Sequence, residues 1–235
     1  MKKNPIYPNT PLVETVFEIR FTGEPAVECK RDEFFYKIRS KYPKVYVPKL
    51  KEAVQALALE PYHFRSEDDK TGVMIALNRF AFFTKEYKGF NSFKKETLML
   101  MKIFTGMFKI TKLNRTGLRY INIIPFAREN DIIPVNNYLN FGINFPEVYP
   151  KQYNSLSIAF KALTEAGSIT TRLENNVSIE GSQEVILLDF DYAKENNLST
   201  SKLEHYLEES HKYTKQMFES LITDTYRSYL KGEAI

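Results

Sequence analysis

The chain has 235 residues, of which 43% are hydrophobic and 14% aromatic, so it can bury a sizeable core and is not disordered. Its only cysteine, Cys29, excludes an internal disulfide and a multi-cysteine zinc site, and it fits a reducing compartment. No run approaches the roughly 20 apolar residues that span a bilayer, and the start lacks an apolar signal core, so we expect a cytoplasmic protein without membrane association.

Positive and negative charges are unevenly distributed along the chain. Residues 1–125 hold 23 Lys and Arg against 13 Asp and Glu, a net charge of +10, whereas residues 126–235 hold 10 against 16, a net charge of −6. This asymmetry is compatible with a surface for nucleic acid or an acidic partner. It fits better two halves that complement each other within one fold, or opposite faces of two protomers, because lysines dominate and solvated lysine faces are common.

The first part of the chain predicts a strand, a helix and a hairpin. Val13 to Phe21 alternates apolar and polar residues, which indicates a strand with one face in the core. Asp32 to Tyr42 has apolar residues at helical spacing. Val54 to Arg65 and Gly72 to Thr84 then predict two strands, joined by a turn at Ser66 to Gly72.

The middle of the chain predicts a helix, a buried strand and a long irregular segment. The helix covers Phe90 to Phe108, and the strand covers Arg115 to Phe126 with apolar residues on both faces. Residues 127–154 are rich in proline and asparagine, with one short helix at Val135 to Leu139. A segment of this length and composition is typical of a mobile lid or binding loop.

The last third predicts three strands and a long helix. The strands are Ser155 to Thr164, with a turn at Glu165 to Gly167, then Ser168 to Val177 and Glu184 to Tyr192. The helix covers Thr200 to Leu230 and begins with a capping box at Ser201 to Glu204.

These elements predict one α+β domain over residues 1–235. We expect a curved, mainly antiparallel sheet of about seven strands packed by helices, with the long C-terminal helix against it in a helix-grip-like arrangement. A pseudo-boundary near residues 127–154 would separate the basic half from the acidic half.

Polar residues inside the central strand need partners, because a buried charge or amide without one costs several kcal/mol. Aspartates at the end of the last strand are candidates for pairing with arginines such as Arg119. We predict a polar network or the floor of a ligand cleft, formed by Arg115, Arg119, Tyr120, Asn122, Asp189 and Asp191.

Three short sequence motifs occur in this chain: Pro11-Leu12-Val13-Glu14, Leu118-Arg119-Tyr120-Ile121-Asn122 and Asp189-Phe190-Asp191. In these stretches, and over nearly its whole length, the chain resembles a sporadically distributed family of uncharacterised bacterial and archaeal proteins. The resemblance implies no established activity. Its patchy distribution implies an accessory gene, which favours a phage-defence or regulatory operon.

Two patterns suggest catalytic or metal chemistry. Gly181-Ser182 followed by Asp189 and Asp191 is similar to the magnesium site of polymerase-β-like nucleotidyltransferases, but six intervening residues are too few for that fold. Glu204, Glu208 and His211 share a helical stripe, yet a di-iron site needs a second such motif. We predict no catalytic residue, metal or cofactor, and keep a magnesium-dependent phosphoryl-transfer enzyme as an alternative.

Aromatic and basic residues interleave before and after the first helix, as in proteins that stack bases and follow phosphates. Half-buried tyrosines with solvated lysines give the same pattern. The nucleic-acid candidates are Lys30, Arg31, Tyr36, Arg39, Lys41, Tyr42, Lys44, Lys94 and Lys95.

The missing catalytic constellation favours a non-catalytic binding or adaptor protein. We expect it to assemble with a protein partner or with further copies of itself, through its sheet edge or its last helix. Nucleic-acid or nucleotide binding by the basic half is the first alternative.

Overall fold

A computed structural model describes residues 6–47, 61–143, 146–150, 152, 154–178 and 183–233. The chain packs into two compact units, each assembled from separated segments. The first unit comprises Met1–Val13, Arg119–Tyr192 and Lys212–Ile235, and the second comprises Glu14–Leu118 and Ala193–His211. The single-domain interpretation of the sequence stays a prediction.

The described residues contain nine strands and six α-helices. The strands are β1 (Leu12–Arg20), β2 (Lys44–Tyr46), β3 (Tyr62–Arg65), β4 (Thr71–Ala76), β5 (Arg79–Thr84), β6 (Lys112–Pro125), β7 (Ser157–Leu163), β8 (Ser168–Ser178) and β9 (Glu184–Ser199). The helices are α1 (Ala26–Cys29), α2 (Arg31–Ile38), α3 (Phe90–Met107), α4 (Val135–Tyr138), α5 (Leu203–Leu221) and α6 (Asp224–Leu230). None of these helices combines the length and the apolar composition that a membrane crossing requires.

The second unit holds the strand order β2-β3-β4-β5-β1-β6, with antiparallel pairing from β2 through β5 to β1. The single strand predicted over Gly72 to Thr84 is wrong. Two strands occupy this stretch, and a tight turn at Leu77 and Asn78 brings Ala76 opposite Arg79. The turn was missed because it contains neither glycine nor proline and interrupts a continuous apolar run.

Aromatic side chains form the core of the second unit beneath α3. Phe104 is fully buried, and its ring centre lies 4.5 Å from that of Phe80 and 5.5 Å from that of Phe34. Helix α2 ends at Ile38, so the predicted extension to Tyr42 is wrong. Tyr42 is buried beyond the helix end.

In the first unit the strand order is β6-β9-β8-β7, and one face of β6 enters the core. Tyr120, Asn122 and Ile124 are buried, whereas Ile121 and Ile123 on the other face are only half-buried. The expectation that both faces of this strand are covered is therefore wrong.

The predicted lid, residues 127–154, is described except at 144–145, 151 and 153. Arg128 fixes part of it, because its guanidinium donates two hydrogen bonds of 2.7 Å to Glu184 and one of 2.9 Å to the carbonyl of Asn154. The mobility of the segment stays a prediction.

The single long C-terminal helix predicted over Thr200 to Leu230 is wrong. A 3₁₀ turn (Thr200–Lys202) precedes α5, and α6 begins after a break at Thr223. The Thr223 hydroxyl accepts a hydrogen bond from the Tyr226 amide and donates one to the carbonyl of Asn137. The predicted capping box also lies elsewhere, since Ser199 caps the start of the turn.

The mixed α+β class and the mainly antiparallel sheet are confirmed. The predicted number of about seven strands is wrong, because nine occur in the residues that the structure describes. The strand order ends at β2 in the second unit and at β7 in the first, so the sheet is open. This strand order does not by itself define curvature, and it gives no support to the predicted curved, helix-grip-like arrangement.

Candidate functional site

Arg119 on β6 and Asp189 on β9 form a bidentate ion pair within the first unit. The guanidinium donates from Nε to Oδ1 at 2.8 Å and from Nη2 to Oδ2 at 2.7 Å. The Asp189 side chain is 4% exposed and the Arg119 side chain 41% exposed. The partly exposed Arg119 thus covers the solvent-facing side of the buried Asp189 carboxylate. A bidentate ion pair of this kind fixes the register of the two strands.

Two members of the predicted polar network, Tyr120 and Asn122, do not face this pair. Tyr120 and Asn122 lie on the opposite, core face of β6, where the Asn122 amide donates to the carbonyl of Leu188 at 3.1 Å. Asp191 is half-buried on the same face of β9 as Asp189, because strand side chains alternate. Arg115 Nη1 lies 3.2 Å from Glu18 Oε1 in the second unit.

A magnesium site at Asp189 and Asp191 finds little support in this geometry. Both oxygens of Asp189 already accept hydrogen bonds from Arg119. No cluster of three or more His, Cys, Asp or Glu side chains that could hold a metal ion occurs in the described part of the chain. The predicted Gly181-Ser182 motif lies outside the described residues.

The Glu-x-x-His stripe on α5 is used within the second unit. Lys94 on α3 donates to Glu204 at 3.0 Å and to Glu208 at 2.6 Å. The hydrogen bond to Glu208 and then that to Glu204 raise the pKa of the Lys94 ammonium. The bonds of Lys94 therefore join the basic helix α3 to acidic residues of α5. The His211 ring stacks on that of Phe90, with 3.8 Å between the ring centres.

Two nucleic-acid candidates meet a single carboxylate. The Lys41 ammonium lies 2.7 Å from Glu96 Oε2, and the Tyr42 hydroxyl donates to Glu96 Oε1 at 2.8 Å. Burial, assisted by Glu96, raises the pKa of the Tyr42 hydroxyl. Because Tyr42 is only 1% exposed, its ring lies in the core and does not offer a stacking surface.

Three of the remaining nucleic-acid candidates around α2 and α3 have a close acidic or aromatic neighbour, and two are exposed. Close contacts join Lys44 to Asp69 (2.7 Å), Arg31 to Glu28 (3.1 Å) and Arg39 to the ring centre of Tyr36 (4.6 Å). Lys30 and Lys95 are exposed. Most cations of this helix flank therefore already have an acidic or aromatic neighbour.

The edge strand β7 offers a different kind of site in the first unit. Six of its seven residues are exposed, and the seventh, Ile158, is half-buried. Phe160 is 46% exposed and Leu163 is 87% exposed. Apolar side chains with this much solvent exposure at a sheet edge are typical of a surface that another chain covers.

Local hydrogen bonds hold β7 in place at both ends. At the turn, the Thr164 amide donates to the carbonyl of Gly167 at 2.9 Å, and the Gly167 amide donates to Thr164 Oγ1 at 3.0 Å. At the base, the Leu156 amide donates to the buried side chain of Asn175 at 2.6 Å. The turn predicted at Glu165 to Gly167 is confirmed, and the strand is preformed.

The register with β8 shows that the core face of the first unit continues onto β7 and is then left uncovered. The opposed pairs are Ile158 with Leu173, Phe160 with Thr171 and Ala162 with Ile169. Leu173 is 2% exposed and Ile169 3% exposed, whereas Phe160 is nearly half exposed. The last strand therefore carries core-type residues without a covering layer.

The edge lacks most of the features that protect sheet edges from pairing. It contains no proline, its seven pairs with β8 follow one unbroken register, and Lys161 is its only charged residue. In the strand order it has β8 on one side and no strand on the other within the described residues.

No model of a known protein family matches this chain, and no curated protein is significantly similar to it. The family resemblance suggested by the three sequence motifs therefore stays a prediction.

Sequence reasoning did not single out β7. Ser157 to Leu163 has the alternation of an ordinary antiparallel strand, and its lack of a covering helix is a tertiary fact. The useful signal was the composition of the strand, because a seven-residue strand with one charge and no proline is a poor edge strand unless it is paired.

Proposed function

We propose that the protein is a non-catalytic adaptor that assembles through β7, and that the chain added to this edge is a second copy of itself. The observation that carries the proposal is the unprotected edge, on which Phe160 continues the core face of the first unit into solvent. An added strand would form a second backbone ladder along β7 and cover the apolar side chains.

Self-pairing is favoured by the position of Phe160 at the centre of the seven-residue strand. A twofold axis at Phe160 pairs all seven residues with the second copy and sets the two Phe160 rings opposite each other. Lys161 then faces Ala159 of the second copy. A twofold axis at Lys161 would instead oppose two like charges, which is destabilising.

Binding is favoured over catalysis because the groups that suggested chemistry are engaged elsewhere. Asp189 is held by Arg119, and Glu204 and Glu208 are held by Lys94. A cytoplasmic location, predicted from the single cysteine, remains part of this proposal.

Phe160→Asp is expected to convert the dimer into a monomer. The change removes the central aromatic pair and opposes two carboxylates across the twofold axis, so the dimer Kd should rise at least tenfold, about 1.4 kcal/mol or more. The measurement is native mass spectrometry over a dilution series, with light scattering on the same samples. A monomeric wild-type protein at micromolar concentration would refute self-assembly.

Two controls make the result specific to β7. Tyr149→Asp places the same charge at another exposed aromatic residue of the first unit, 55% exposed, and should leave the dimer intact. Mixing Phe160→Asp with Phe160→Lys should restore a one-to-one dimer, because the two positions face each other only in self-pairing about Phe160. Failure of the mixture to dimerise would reject this register.

A further inference from the structure

Strand register places several cations of the second unit on one face of its sheet. Residues directly opposite each other in antiparallel strands share a face. Arg20 is opposite Arg79, Arg65 is opposite Gly72, and Lys44 is opposite Arg65. This face is the reverse of the one that packs on α3. We name it the arginine face, and its defining residues are Arg20, Arg65, Arg79 and Arg115.

Three arginines of this face surround one carboxylate, that of Glu18. Arg20 Nε lies 2.7 Å, and Arg115 Nη1 3.2 Å, from Glu18 Oε1, while Arg79 Nη1 lies 3.7 Å from Oε2. One carboxylate compensates one positive charge, so Glu18 by itself cannot neutralise both Arg20 and Arg79. Arg20 and Arg79 are like charges directly across two strands, which repel, and a second anion beside Glu18 would reduce this repulsion.

Arg65 extends the positive surface next to aromatic rings. Its guanidinium carbon lies 4.9 Å from the ring centre of Tyr46 and 5.5 Å from that of Phe83, and its Nε has no hydrogen-bond partner among the described residues. Gly72 makes room for Phe83, because a Cβ there would lie 2.7 Å from the ring. Tyr46 is 43% exposed and donates to Asp69 at 3.0 Å.

We propose that the arginine face binds single-stranded nucleic acid. Phosphates would bind Arg20 and Arg79, whose side chains are 51% and 33% exposed, and a base would stack on Tyr46. Four strand spacings separate β2 from β1, about 19 Å, which several nucleotides span. Exposed rings and guanidinium groups on an open antiparallel sheet are a recurring arrangement for reading single strands.

The proposal goes beyond self-assembly and moves the nucleic-acid site away from the helices. On the helix side of the unit, Lys41 and Lys94 are held by glutamates. On the arginine face, by contrast, Arg20 and Arg79 share the one carboxylate of Glu18. These two adjacent, partly exposed arginines therefore offer an anion a more concentrated positive site than the glutamate-paired lysines Lys41 and Lys94.

The test is fluorescence anisotropy with labelled dT20 and U20 in low salt, followed by a salt titration. Arg20→Gln/Arg79→Gln should weaken binding at least tenfold and lower the slope of log affinity against log salt by about 1.4, that is about 0.7 for each of two lost phosphate contacts. The matched control is Lys95→Gln/Lys102→Gln, which removes two exposed charges from α3 and should change affinity less than twofold. Equal weakening by both pairs, or no binding by the wild-type protein, would overturn the proposal.

Variants of Tyr46 distinguish binding of a nucleic acid from binding of a simple polyanion. Tyr46→Ala should weaken dT20 binding about fivefold or more, whereas Tyr46→Phe, which keeps the ring and loses only the bond to Asp69, should bind like the wild-type protein. Inorganic polyphosphate should compete more weakly than unlabelled dT20. Equal competition together with an unaffected Tyr46→Ala variant would assign the face to phosphate polymers and reject single-stranded nucleic acid.

Discussion

Phe104→Ala is expected to lower the free energy of unfolding by about 4 kcal/mol, in the range for buried phenylalanine truncations. Phe104 is 0% exposed, and its ring contacts those of Phe21, Phe34, Phe80 and Phe108 at centre distances between 4.5 and 5.7 Å. Truncation would leave a cavity that these rigid rings cannot fill without leaving their rotamers. Urea denaturation followed by circular dichroism measures the change.

The control for this prediction is Tyr36→Ala in the same unit. Tyr36 is 61% exposed, so its truncation should cost less than about 1 kcal/mol. A loss below about 2 kcal/mol for Phe104→Ala would contradict the placement of this ring at the centre of the aromatic core.

Arg119→Met is expected to destabilise the protein by about 3 kcal/mol, because it leaves the buried carboxylate of Asp189 without its bidentate partner. This loss lies at the lower end of the range for removing one partner of a buried ion pair. The reason is that the Arg119 side chain is 41% exposed and water can enter at its position. For a chain of this length the melting temperature should fall by roughly 6–12 °C, which differential scanning calorimetry would detect.

The double variant Arg119→Met/Asp189→Leu distinguishes loss of the pair from loss of packing. When both charges are removed together, no buried carboxylate is left unpaired, and most of the lost stability should return. An unchanged melting temperature for Arg119→Met alone would show that the pair contributes little. Equal destabilisation of the single and double variants would show that packing of the arginine stem decides the effect.

The sequence was sufficient for features that depend on neighbouring residues. Alternation over Val13 to Phe21 predicted β1, and helical spacing over Phe90 to Phe108 predicted α3 to within one residue. The rule that buried charges need partners indicated that aspartates near the last strand would pair with arginines such as Arg119, and the structure joins Arg119 to Asp189. These features follow from side-chain periodicity and from the cost of burying a charge.

Tertiary structure alone decided the features that depend on residues far apart in the chain. The last helix breaks at Thr223 because the backbone there bonds to residues 137–140, a contact that helical periodicity does not encode. The three arginines around Glu18 come together only because β5, β1 and β6 are neighbours in the strand order. The exposure of Phe160 likewise depends on the position of β7 at the end of the strand order. A residue's own sequence pattern specifies which way it points in a strand, but strand order determines what lies beside it.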